Sequence, residues 1–360
     1  MRVLAFGSYD AGRHPRVAVL LDGLRERGVE VDVCNVPLAL DTADRVRILR
    51  QPWRLPLLAL LLARTWLRLA RRARRLPEPD AVLVGYLGHF DVLLARLLFR
   101  RTPIVHDLLV FAGDTARDRG AGGVRQLLLR GLDAVAVRAS DVLVVDTDEH
   151  LQMLPAARRQ DGLVVAVGAP ADWLGPVPQA HDGPLRVVFF GLYTPLQGAP
   201  VIGEAIALLP AGAVRVTMIG TGQDLARTKE LSGEGPATWT DWVDPVDLPA
   251  VVARHDVCLG IFSAEGKGTR VVPNKVFQGA AAGCAVVTSD TPPQRRALGD
   301  AGVFVPPGDP KALAQALLLL ADDPDLLLRH RRAAATLARD AFLPAAVVAP
   351  LHARLLLLTS

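Results

Sequence analysis

Between Asp256 and Asp290 the chain reads DVCLGIFSAEGKGTRVVPNKVFQGAAAGCAVVTSD. Here two cations, Arg270 and Lys275, stand beside Asn274 at the start of an alanine-rich helical pattern, with Gln278 one turn further on. The flanking apolar runs VCLGIF and AVVTSD have the length and continuity of buried parallel strands. In an open α/β sheet, ligands bind outside the carboxyl ends of the strands, and the first N–H groups of the following helix attract anions. Arg270, Lys275 and the N–H groups near Asn274 suit a diphosphate.

The elements that must position these groups repeat along the chain. VLAF, VEVDVCNV, AVLVGY, PIVHDLL, DVLVVDT and LVVAVG alternate with helical patterns in the first half, and LRVVFFG, VRVTMIG, ATWTDW, VCLGIF, AVVTSD and GVFVPP do so in the second. Between them APADWLGPVPQAHDGP, rich in proline and glycine, marks a linker. The predicted fold class is α/β: two Rossmann-like, doubly wound domains at 1–170 and 185–343 facing a cleft, joined by a linker at 171–184 and followed by a last helical segment at 344–360. The first loop, GSYDAGRHP, lacks the GxGxxG dinucleotide fingerprint.

A chain of 360 residues, 51% hydrophobic and 22% charged, is long enough for two folded domains and excludes wholesale disorder. The three cysteines stand singly in apolar segments, without zinc spacing or a disulfide framework, so reduced thiols are expected. The first residues lack the regions of a signal peptide, and a cytoplasmic location is expected. No His or Asp cluster has metal-ligand spacing, and none is predicted to bind a metal.

The net charge of +4 is unevenly spread: ten arginines and no acidic residue lie between Arg45 and Arg75. Helical periodicity over LPLLALLLARTWLRLARRARRL aligns Arg64, Arg68, Arg71, Arg72 and Arg75 in one stripe, opposite Leu58, Leu62, Trp66, Leu69 and Ala73. Two readings stand: an amphipathic helix on an anionic membrane surface, or a domain helix with its apolar face on the sheet and its arginines in water. The apolar run is too short to span a bilayer. One aromatic, Trp66, within the basic helix and no nucleic-acid module argue against nucleic acid as a partner.

Five ordered blocks carry a resemblance: VVFFGLYTPLQG, VTMIGTGQD, WTDWVDPVDLPAVVARHDVCLGIF, VPNKVFQGAAAGCAVVTSDTP and GVFVPPGDPKALAQAL. Together they resemble the C-terminal half of retaining nucleotide-sugar glycosyltransferases of the GT-B fold, specifically glycosyltransferase family 4. The resemblance implies donor contacts from Gly191, Gln197 and Gly198 in the first block, from Gly220, Gly222 and Gln223 in the second, and from Arg270, Asn274, Lys275 and Gln278. Gly12, in the loop after the first strand, joins this set, its alternative being a plain turn residue. It also implies that the last helix crosses back onto the N-terminal domain. The family's paired glutamates would fall at Arg270 and Gln278, and the usual cations of its glycine loop are replaced by Leu192 and Gln197, so charge must come from elsewhere. In PIVHDLL, His106 and Asp107 resemble residues at a strand end facing the cleft, where they would orient hydroxyls.

The expected function is retaining transfer of a hexosyl group from a nucleoside diphosphate sugar to an acceptor hydroxyl at the cytoplasmic membrane face, with no cofactor beyond the co-substrate. The partners are that donor, an acceptor that is lipid-linked or a small molecule, and an anionic membrane surface. Alternatives are a soluble enzyme acting on a small-molecule natural product and a catalytically silent GT-B subunit.

Overall fold

The computed structural model describes residues 1–9, 15–38, 55–86, 88–109, 111–114, 123–180 and 183–359. Two compact units result, one made of Met1–Val145, Leu151–Val165 and Val348–Ser360, the other of Asp146–His150 and Ala166–Val347. The helix Ala349–Thr359 thus groups with the first unit.

The first unit is built on strands β1 (Arg2–Gly7), β2 (Glu30–Asn35), β3 (Ala81–Val84), β4 (Ile104–Asp107), β5 (Val142–Val145) and β6 (Gly162–Val164). Every pairing is parallel and the order is β2-β1-β3-β4-β5-β6. The second unit holds β7 (Leu185–Phe190), β8 (Val214–Ile219), β9 (Ala237–Thr240), β10 (Val257–Leu259), β11 (Ala285–Ser289) and β12 (Gly302–Val305), all parallel, in the order β12-β11-β10-β7-β8-β9. The strand pattern follows burial. AVLV, VLVV and AVVTS are buried throughout, as strands covered on both faces must be, whereas edge strand β9 alternates between half-buried and exposed.

In the second unit the order reverses between β7 and β10, which creates the crevice where α/β sheets take ligands. That pair of strands is tied from below. Asp256, fully buried, accepts from Arg186 Nη2 at 2.8 Å and Arg331 Nη1 at 3.1 Å, joining the starts of both strands to the helix Pro324–Leu337. The small residues of GAAAGC let the helix Asn274–Ala281 lie close on the sheet: a Cβ on Gly279 would meet Cys258 at 2.5 Å. Cys34, Cys258 and Cys284 are free and buried.

The arginine-rich segment forms the helix Leu55–Ala73, and its apolar stripe is corrected by the structure. Leu69 and Ala73 lie in the core of the first unit with Trp66 packed against it, so the face expected to enter a headgroup region is used by the helix's own sheet. The exposed face instead mixes Leu57, Leu60 and Leu67 with Arg64, Arg68 and Arg71. Positions i, i+3, i+7, i+10, i+11 and i+14 fall on one side of a helix. Arg72, at the border, donates to the carbonyl of Asn35 at 2.7 Å. Among the described residues no helix is long and apolar enough to cross a membrane.

Candidate functional site

Lys275 is the centre of the site. It is the second residue of the helix Asn274–Ala281, whose N-terminus opens at the carboxyl end of β10, and it is only 4% exposed. Its ammonium lies 3.6 Å from the ring centroid of Phe189 in β7 and donates to Gln197 Oε1 at 2.5 Å. Burial pushes its pKa down to about 7, a shift that the nearby Cys258 sulfur partly opposes. Burying a lysine without a carboxylate is costly, and among the described residues an amide oxygen and an aromatic face receive the charge.

The loop after β7, Gly191–Gly198, wraps around this ammonium because the backbones of three loops interlock. Gly220 has φ +120°, and a Cβ there would stand 2.0 Å from the carbonyl oxygen of Gly191. Gly198 has φ +62°, and a Cβ would come within 2.4 Å of Ser263 N. Neither position admits a side chain without displacing backbone. The N–H groups of Gly191, Tyr193 and Gly220 are tied to Ile219, Thr221 and Thr240 at 2.8–3.1 Å, and Phe262 N donates to Gln197 O at 3.0 Å. Glycine was needed for contact between backbones as much as for room above them.

The structure therefore brings together Gly191, Gln197, Gly198, Gly220 and Lys275, and Gly222 packs on Tyr193 behind them. Asn274 is half-buried at the first helical position. Gln278, one turn along the helix, is buried at 6% exposure. Gln223 is exposed on the turn after β8. Arg270 is half-buried at the end of the turn Gly266–Thr269, its carbonyl accepting from Thr147 Oγ1 at 2.8 Å. Glu265 is exposed. Gly12 lies outside the described residues.

His106 and Asp107 belong to the first unit, on β4, and both are buried. Among the described residues both ring nitrogens of His106 lack a hydrogen-bond partner, its ring meets that of His89 edge to face at 5.5 Å, and burial holds its pKa well below the ordinary value. Asp107 Oδ1 accepts from Arg16 Nε at 2.8 Å, and Arg16 also donates to Val165 O at 3.1 Å. Arg16 and His89 escape a reading of motifs because each meets its partner only after folding. Phe189 escapes because an aromatic at the end of an apolar run signals a strand and nothing more. Among the described residues no three His, Cys, Asp or Glu side chains converge as a metal site.

Residues 184–323 match the family model described as glycosyl transferases group 1. No curated protein matches the chain in sequence. Among solved structures, sucrose-phosphate synthase from Thermosynechococcus elongatus is similar with a TM-score of 0.71 at 14% identity, over 99% of this chain and 98% of that one. The Anabaena protein HepE, solved in complex with UDP-glucose, is similar with a TM-score of 0.68 at 15% identity over 99% and 98%. The N-terminal domain of trehalose-6-phosphate phosphatase from Candida albicans gives 0.71 at 11% identity over 100% and 96%. The chain has the GT-B fold, and its second unit carries a glycosyl transferases group 1 domain.

Proposed function

We propose that this protein transfers a hexosyl group from a nucleoside diphosphate sugar to an acceptor hydroxyl with retention of anomeric configuration. The observation that carries the reading is Lys275, a buried cation whose protein partners are a neutral amide and a ring, at a helix N-terminus beside the sheet's switch point. A diphosphate supplies the opposite charge that this ammonium's partners lack, and charge-assisted bonds are about twice as strong as neutral ones. Arg270 adds a second cation, and the helix N-terminus adds N–H groups and dipole. Gln278 meets the ribose diol, donating and accepting without a carboxylate's charge. The leaving diphosphate takes the acceptor's proton, while His106 and Asp107, expected from the sequence to orient hydroxyls, are closed inside the first unit, Asp107 on Arg16. The UDP-glucose complex of HepE and the match to the group 1 family support the substrate class. Retention rests on the resemblance to family 4. The test is turnover of a mixed nucleoside diphosphate sugar panel, with the product's anomeric configuration read by NMR. Nucleoside diphosphate binding without turnover on any donor, with or without membranes, would favour a silent binding subunit instead.

A second element of the reading concerns the acceptor. The exposed face of the helix Leu55–Ala73 interleaves Leu57, Leu60 and Leu67 with Arg64, Arg68 and Arg71, a mixture suited to an anionic lipid surface, where arginines meet headgroups and leucines enter between them. This face supports a lipid-linked acceptor at the cytoplasmic side. Salt-sensitive binding to anionic vesicles is the expected result; indifference to vesicles would leave a small-molecule acceptor as the leading reading.

A further inference from the structure

The helix Leu55–Ala73 is one of three that cover the same face of the first unit's sheet. It gives Leu69 and Ala73 to the core there, the helix Asp91–Leu98 gives Val92 and Ala95, and the helix Val124–Ala139 gives Ala136 and Ala139. The middle helix packs against both of the others. With about 8–10 Å between neighbouring axes, the three form a layer about 20 Å wide from the first axis to the last.

Each helix also turns apolar side chains away from that core. Leu57, Leu60 and Leu67 are exposed on the first, and Phe90 and Leu97, seven residues apart and so on one side, are exposed at the second. On the third, Leu127 and Leu128 are 70% and 69% exposed, and Val135 is exposed one heptad beyond Leu128. Single exposed leucines are ordinary, whereas apolar side chains that recur across adjacent helices mark a surface for a partner.

Charge selects the partner. Among the described side chains of these helices every exposed charge is an arginine, and the two acids, Asp91 and Asp133, are buried. Two copies of such a face would set arginine against arginine. An anionic lipid surface meets both components at once, headgroups taking the guanidinium groups while leucines enter between them.

We propose that the whole three-helix layer is the lipid-docking face of the first unit, with Leu127 and Leu128 as apolar anchors on the helix farthest from the arginine-rich one. This rests on the proposed contact between the helix Leu55–Ala73 and an anionic surface, and extends it across the sheet. A bilayer on this layer lies roughly parallel to that sheet, so the carboxyl ends of its strands open along the lipid surface and not into it.

The test is flotation of the full chain with phosphatidylcholine vesicles, with and without phosphatidylglycerol. Leu127→Gln combined with Leu128→Gln should weaken binding to the anionic vesicles by about tenfold, the loss expected when two leucines no longer enter the headgroup region. Salt dependence and the unfolding midpoint should not move, since both side chains are uncharged and exposed. Leu319→Gln, at an exposed leucine of the second unit, should bind as the native chain does. The native cysteines are buried, so an environment-sensitive dye can be placed on Leu128→Cys, and its emission should shift to the blue on anionic vesicles. Native-level binding by the double variant, an equal loss in Leu319→Gln, or a dye that stays in water overturns the layer and leaves the arginine helix as the membrane contact. A vesicle-free dimer that the double variant breaks assigns the face to a second copy and also overturns it. Failure of the native chain to bind anionic vesicles overturns the layer and the membrane reading together.

Discussion

The two units share one architecture and treat their polar groups in opposite ways. In the first, the carboxylates beside the strand ends are met by donors, Asp107 by Arg16, Asp91 by Ser8 at 2.7 Å and Asp133 by His89 at 3.0 Å, while His106 keeps both ring nitrogens without a hydrogen-bond partner among the described residues. In the second, the carboxyl ends meet glycine loops and a buried lysine whose protein partners are an amide and a ring. The first arrangement completes a fold. The second leaves a charge incompletely met, and buried charge is tolerated where a ligand completes it.

The contrast is sharpest in stability. Arg16 and Asp107 are both at least 98% buried, so Arg16→Ala strands a carboxylate and should cost about 3–5 kcal/mol, read as a fall in the unfolding midpoint. Lys275→Met, at an equally buried cation, should cost nothing and slightly stabilise, because it removes a charge that burial already disfavours. Comparable losses in both variants would erase the distinction between the units.

A smaller effect is expected at the loop contact. Gly220→Ala forces a Cβ against the carbonyl of Gly191 at a positive φ, and a strain of about 1–3 kcal/mol should appear mainly as weakened nucleoside diphosphate binding as the loop is displaced. Gly28→Ala, also at positive φ but with no atom within 4 Å of the added carbon, is the control and should leave binding intact.

The exposed arginines give the smallest effect per residue. Changing Arg64, Arg68, Arg71 and Arg72 to Gln should remove about 1 kcal/mol of vesicle binding each and abolish its salt dependence, while nucleoside diphosphate affinity stays constant. Arg72 should contribute least, since it is already bonded to Asn35 O. Vesicle binding that survives all four changes would separate the helix from membrane contact.

Much of the fold was legible because parallel strands buried on both faces, such as VLVV and AVVTS, are continuous apolar runs that local pattern alone identifies. Lys275 is legible as a cation at the start of a helical pattern, and the glycines through the resemblance carried by their blocks. What pattern could not reach is contact across sequence. Gln197 and Lys275 are 78 residues apart and Arg16 and Asp107 are 91, so nothing local announces either pair. The apolar stripe of the arginine helix was legible as a stripe, but periodicity does not say whether a sheet or a lipid covers it, and here Leu69 and Ala73 show that the sheet does. The exposed leucines among the arginines became visible only once that face was accounted for.

The central claim is that Lys275 is held for an anion. Its pKa of about 7 lies below the ordinary lysine value of 10.5, and a bound diphosphate must raise it. The sign follows: the ammonium's contribution to binding is fully present below pH 7, where the free protein is already protonated, and is lost as pH rises through the pKa of the complex. The decisive measurement is nucleoside diphosphate affinity from about pH 7.5 to 9, above the last ionisation of a phosphate at about 6, for the native chain and Lys275→Met, with the bare nucleoside alongside. Native affinity for the diphosphate should fall by up to about tenfold per pH unit while the variant and the nucleoside stay flat. A flat native profile, or a variant that falls in parallel with it, would contradict the account.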